Sequence, residues 1–310
     1  MDIKILGSAA GGGFPQWNCA CRNCDGVRNG TLRAEPRTQL QLALRLPTGG
    51  WLLVNASPDL RAQILSSPAL SPKELLRESP IAAVVLTSAD VDSVAGLLHL
   101  REFQPLQIYA TPSVRRILAE ENRIFRVLNR SNPPAVWHKI NLDTWLAIPD
   151  MPPSNKEAEL CCRAISLGGS YPDYVSESLR KSLPAEEAII GLTFLQGGKK
   201  MFFAPSIPSE SDMWKTAAHS SDVCFMDGTF WTDDELIHVG GGSKTAREIG
   251  HIPLAGPRGL FEKFGPAGGG RRVLIHINNT NPILDEDSLE HAEALRRGWE
   301  IAHDGMEFQL

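Results

Sequence analysis

The 310-residue chain has no dense run of basic residues. Its 31 Lys and Arg are scattered among 36 Asp and Glu, for a formal net charge of -5. A nucleic-acid backbone calls for a concentrated positive face, so nucleic acid is not an expected partner. No segment approaches the roughly 18 to 20 continuous apolar residues that span a bilayer. The opening stretch MDIKILGSAAGGGFPQWNC carries only a short apolar run with no charged region ahead of it, so no secretory signal is expected and a cytoplasmic location is the default. Six cysteines are too few for a disulfide scaffold in a chain of this length. Repeats of fixed period and low-complexity tracts are also lacking. What remains is an ordinary globular composition, 42% hydrophobic and 22% charged, able to bury a large core.

Short apolar runs alternate with turns and amphipathic pieces. Strands are expected at 3–6, 41–46, 51–56, 82–87 and 107–111, and again at 188–196, 199–205, 222–228 and 272–278. SPDLRAQILSS opens on a Ser-Pro start signal and SVRRILAEENRIF follows another Pro, so both read as helices. Asp304-Gly305 between two alternating runs predicts a hairpin at the C-terminal end. Strands cluster in each half with helices flanking them, which suits two helix-covered sheets better than one doubly wound sheet. The expectation is one domain, 1–310, whose halves join through the Pro-rich stretch near 146–160.

GSAAGGGFPQWNCACRNC follows the first strand. Its glycines miss the G-x-G-x-x-G register and no Gly-Lys-Ser/Thr closes a P-loop, so a tight backbone turn is favoured over a nucleotide site. Cys19, Cys21 and Cys24 form C-x-C-x-x-C, a spacing that lets three thiolates converge on one tetrahedral ion. This predicts a structural zinc site, with a distant His as the usual fourth ligand, though no particular one is singled out. Cys161, Cys162 and Cys224 sit in strand-like runs and read as buried small hydrophobes.

In VVLTSADVDSVAGLLHL, residues 84–100, an apolar strand enters a turn with Asp90 and Asp92 two apart. On its own this is a strand-to-helix turn in which Asp92 or Ser93 caps a helix beginning near Val94. Asp227 at the end of VCFMDGT, His251 in REIGHIPLAG and His276 in RRVLIHINNTNP each have a local reading too, as turn or core residues. Jointly, an acid pair after one strand, an Asp after a second and a His after a third is how a metal cup is assembled at strand ends.

The order of these stretches resembles the metallo-beta-lactamase superfamily and, within it, the PqqB family of pyrroloquinoline quinone (PQQ) biosynthesis. The resemblance runs from end to end, through LGSAAGGGFPQWNCACRNC, RTQ, NASPDLRAQI, VVLTSADVDSVAGLLHLRE, MDGTFW, GHIP and HINNTNPIL. It implies an α/β fold of four αββα layers, two mixed sheets covered by helices. The superfamily's H-x-H-x-D-H loop falls on Ser88, Asp90, Asp92 and Ser93, its bridging Asp on Asp227 and its terminal His ligand on His276. His251 falls where related phosphodiesterases keep a catalytic histidine. PqqB-like sequences generally replace the first two loop histidines, with Asp at the second, but keep the last, which here is Ser93. Asp90, Asp92, Asp227 and His276 still offer three carboxylates and an imidazole, a set suited to Fe(II), Mn(II) or Mg(II) and weaker than the family's own.

The implied activity is a step in making the quinone from linked Glu and Tyr residues of a precursor peptide. An iron-dependent hydroxylation of the Tyr ring leads. A carrier moving the quinone or its precursor towards the periplasm, and a metal-dependent hydrolase, are the alternatives. A peptide-derived or quinone substrate and other proteins of the same biosynthesis are the implied partners, and a homo-oligomer is compatible with the sequence. Arg61, beside Asp59, is a candidate to meet an acidic substrate or to form an ion pair.

Overall fold

The computed structural model describes residues 1–47, 49–73, 76–102, 104–130, 134–148, 159–208, 211–265 and 270–310. Alternation in the first strand, where Ile3 and Ile5 are buried and Asp2 is exposed, sets the pattern for the first half of the chain. Strands β1 (Asp2–Gly7), β2 (Gln41–Arg45), β3 (Trp51–Val54), β4 (Ile81–Val85), β5 (Gln107–Ala110) and β6 (Val136–Lys139) follow one another across a mixed sheet. Its β1–β3 part is antiparallel and its β3–β6 part parallel. Strands β7 (Trp145–Ile148), β8 (Leu160–Gly168) and β9 (Ile189–Gln196) form an antiparallel ladder. Strands β6 and β7 have exposed Val136 and Trp145 at their starts and no period-2 signal, so neither is legible in the sequence.

The described residues divide into two compact units of discontinuous sequence. The first takes in 1–7, 41–199 and 305–310, and the second 8–40 and 200–304. Residues 149–158 of the Pro-rich stretch lie outside the described residues. In the first unit, Leu53, Val84, Leu86, Leu97, Ile108 and Leu118 belong to one buried cluster. In the second, β10 (Lys199–Ala204, counted from Lys200), β11 (Val223–Asp227), β12 (Arg271–Ile275) and β13 (Glu300–Ile301) run parallel. The apolar residues of β11 and β12 are buried on both faces, as a covered parallel sheet requires.

The C-terminal hairpin does not form. Asp304-Gly305 makes the turn, but Glu300–Ile301 pairs parallel with β12 while Glu307–Gln309 pairs antiparallel with β1. The local turn forms as its chemistry dictates, but the strand partners, which are long-range, override the hairpin signal. The helix after β4 is also placed differently. It spans Val91–Val94 with Asp90 at the N-cap position, and no side chain caps it.

Candidate metal sites

In the second unit, Cys21 is the N-cap residue of the helix Arg22–Asn29, which puts Cys24 in its first turn and Cys19 just before it. The three sulfurs lie within 4.8 Å of one another, the one such group of three His, Cys, Asp or Glu residues among the described residues. The Gln16 N–H donates to Cys24 Sγ at 3.3 Å and the Cys21 N–H to Cys19 Sγ at 3.4 Å. Among the described residues, no His joins this group. Instead Asn279 directs its side-chain amide at all three sulfurs, 3.1 Å from Cys19, 3.6 Å from Cys21 and 3.3 Å from Cys24. Asn23 fixes that turn by donating to the carbonyls of Asn279 and Asn281 at 3.1 and 2.9 Å. Burial pushes the Cys24 thiol up to about 11. Burial also raises Cys19, but hydrogen bonds from the Cys21 N–H and from the Cys21, Cys24 and Asn279 side chains leave it below the usual thiol value.

Asp227, His251 and His276 come together in the same unit. Asp227 ends β11 and is fully buried. Gly228 then turns the chain so tightly against Ile275 that a Cβ there would stand 2.9 Å from the Ile275 carbonyl oxygen. His276, just past β12, has φ 60, a left-handed conformation that costs a residue with a side chain about 1–2 kcal/mol. The strain is held in place by backbone bonds from the Ile277 N–H to Ser8 and from the Ala10 N–H to Ile277.

Thr229 is at the centre of this cluster. Its hydroxyl donates to Asp227 Oδ1 at 2.7 Å and lies 3.0 Å from His251 Nδ1 and 2.9 Å from His276 Nδ1. His251 Nδ1 is also 3.0 Å from Asp227 Oδ2, and the two imidazoles stack with centroids 5.2 Å apart. The Asp227 carboxylate accepts further bonds from the Ile207 and Thr229 N–H groups. Burial pushes its pKa up, but the charge and hydrogen bond of His251, the Thr229 hydroxyl and the charge of His276 outweigh it, so Asp227 ends below the ordinary carboxylate range.

The other sequence-derived residues are in the first unit. Ser88 Oγ donates to Asp90 Oδ2 at 2.7 Å, accepts from the Asp90 N–H at 3.2 Å and lies 3.4 Å from Ser93 Oγ. Ser93 is buried and its carbonyl accepts from the Ala56 N–H, while Asp92 is half-buried beside it. The Tyr174 hydroxyl donates to the Ala89 carbonyl at 2.6 Å, and burial with the nearby Asp90 charge pushes its phenol up to about 12. Asp59 stands at the N-cap position of the helix Leu60–Leu65 and Arg61 is exposed on it. Cys162 and Cys224 are buried as expected, whereas Cys161 is only half-buried.

Residues 50–277 match the family model described as beta-lactamase superfamily domain. Over the full length of both chains, the sequence is 42% identical to coenzyme PQQ synthesis protein B of Azotobacter vinelandii (strain DJ / ATCC BAA-1303) and 43% identical to that of Azoarcus sp. (strain BH72). The chain belongs to the PqqB family. The crystal structure of Zn(2+)-bound PqqB from Methylobacterium extorquens matches it at a TM-score of 0.90 and 40% identity, with all of both chains covered. A diphosphatase of the PhnP family, at 18% identity and a TM-score of 0.64, shares the fold. The fold of this PqqB-family chain is therefore the metallo-beta-lactamase fold, α/β, with two mixed sheets and helices. Thr229 lies within MDGTFW and Asn279 within HINNTNPIL, but nothing in either stretch sets them apart from their neighbours. A hydroxyl or carboxamide has too many structural uses for its type alone to mark it.

Proposed function

We propose that this chain takes part in PQQ biosynthesis, with a structural zinc ion at Cys19, Cys21 and Cys24 and a separate divalent ion at Asp227 and His276. The observation that carries the reading is the full-length identity of 42% to a coenzyme PQQ synthesis protein B. Other proteins of that biosynthesis are then its partners, supplying a precursor or taking up its product.

The donor chemistry fits both ions. Three converging soft thiols suit zinc. Asn279 is suited to be the fourth ligand, since turning its amide presents Oδ1 where Nδ2 now stands, and the two atoms are interchangeable in shape. A carboxylate and an imidazole suit Fe(II) or Mn(II). The family resemblance assigns Asp90 and Asp92 to the same ion.

The reaction we favour is hydroxylation of the Tyr ring of a Glu-Tyr precursor. Bound iron would supply the activation of dioxygen that this chemistry needs. Asp227 is held against rotation by the Ile207 and Thr229 N–H groups, so it offers a fixed negative charge. His251, 3.0 Å from Asp227 Oδ2, is the group placed to take or return a proton through its Nε2.

The carrier reading is favoured by one observation. In the loop where the family keeps an imidazole, Ser93 Oγ faces Ser88 Oγ, which in turn binds the Asp90 carboxylate. Iron content and iron-dependent oxygen consumption with a Glu-Tyr peptide, measured beside Asp92→Ala, separate the two. Hydroxylation predicts that the variant loses both. Equal behaviour of the two proteins rejects the oxygenase and leaves the carrier. Ser93→His gains metal if the loop lies at the ion.

A further inference from the structure

The Thr229 hydroxyl meets three groups at hydrogen-bond distance, yet has one proton to give and two lone pairs to accept with. Asp227 is an acceptor in the other contacts given above, taking the Ile207 and Thr229 N–H groups, and its 2.7 Å contact is the shortest of the three at the hydroxyl. The Thr229 proton therefore belongs to Asp227 Oδ1. The lone pairs are left facing His251 Nδ1 and His276 Nδ1, and a lone pair facing a ring nitrogen is satisfied only if that nitrogen carries hydrogen. An independent contact agrees for His251, whose Nδ1 is 3.0 Å from Asp227 Oδ2, another oxygen that only accepts.

We propose that Thr229 is a positioning residue that fixes the tautomer of both histidines, so that each neutral ring carries its proton on Nδ1 and none on Nε2. An unprotonated imidazole nitrogen is what a metal ligand and a proton acceptor both require, and the atom opposite it is usually set by a hydrogen bond of this kind. One hydroxyl thereby prepares His276 to ligate and His251 to accept a proton. The tautomer assignment holds for the metal-free chain, and only its use by a metal rests on the function proposed above. Valine keeps the shape of threonine and removes the hydroxyl, whereas serine keeps the hydroxyl.

The test is long-range 1H–15N correlation on histidine-labelled metal-free chain, above the titration of both rings, with signals assigned through His251→Gln and His276→Gln. The expected result is protonated Nδ1 and unprotonated Nε2 in both rings of the wild type and of Thr229→Ser, and loss of that pattern in at least one ring of Thr229→Val. Protonated Nε2 in the wild type overturns the proposal, as does an unchanged pattern in folded Thr229→Val. If Thr229→Val does not fold, the wild-type and Thr229→Ser spectra decide alone. Titration with Mn(II) is the second readout, and a roughly 10- to 100-fold weaker affinity is expected in Thr229→Val, with recovery in Thr229→Ser. A wild type that shows the expected tautomers but binds no Mn(II) supports the role of Thr229 and refutes the metal reading.

Discussion

Asn279 holds its side-chain amide 3.1 Å from the sulfur of Cys19. If it is the fourth zinc ligand, Asn279→Ala lowers zinc affinity by roughly 10- to 100-fold, while Asn279→His, which restores a strong donor, retains it. Competition against a chromophoric chelator measures both. Unchanged affinity in the alanine variant removes Asn279 from the ion.

Asp227 gives stability a specific pH dependence. Its folded pKa is depressed relative to the unfolded value near 3.9, so its contribution is fully present above about pH 4 and is lost as pH falls through the lower folded value. Asp227→Asn puts an amide N–H where a carboxylate oxygen accepts hydrogen bonds and is expected to lose about 1–3 kcal/mol at neutral pH. Urea unfolding at a series of pH values should show a flatter acid limb in the variant. A parallel displacement of the two curves contradicts this.

Glu235 works in the opposite direction. It is 6% exposed, and burial pushes its carboxyl up to about 7 against the bonds from Thr280 Oγ1 at 2.5 Å and the Trp231 N–H at 2.6 Å. The folded state holds this proton more tightly than the unfolded one. Stability from this group is therefore complete below about pH 4.5 and declines as pH rises to about 7, by on the order of 3 kcal/mol. Glu235→Gln should remove that decline, as read from melting temperature against pH.

Much of this was legible in the sequence. Strands such as β4 and β11 were readable because buried parallel strands are continuous apolar runs, and the three cysteines because their spacing alone brings them together. The clustering of Asp227, His251 and His276 followed from the family order of motifs. Thr229 and Asn279 were not legible, since their roles come from contacts made across 22 and more residues of chain. The false hairpin at Asp304-Gly305 failed for the same reason, because the flanking strands find partners far away in sequence.

Gly96 supports the loop of Asp90 and Asp92 from behind. Its N–H donates to the Ala56 carbonyl at 2.8 Å, and an added Cβ would lie 2.2 Å from the Ser57 carbonyl oxygen. Backbone cannot move aside cheaply in a packed interior, so Gly96→Ala is expected to cost about 1–3 kcal/mol. Chemical denaturation gives the value, and a change within about 0.5 kcal/mol, the range of neutral surface substitutions, contradicts the packing described.

The central claim is that the chain is needed to make PQQ. It is tested most directly by the PQQ produced by a host strain lacking this chain, complemented with the wild type or with Asp92→Ala. The account predicts that PQQ is lost in the deletion, restored by the wild type and not restored by the variant. Undiminished PQQ in the deletion strain would contradict it.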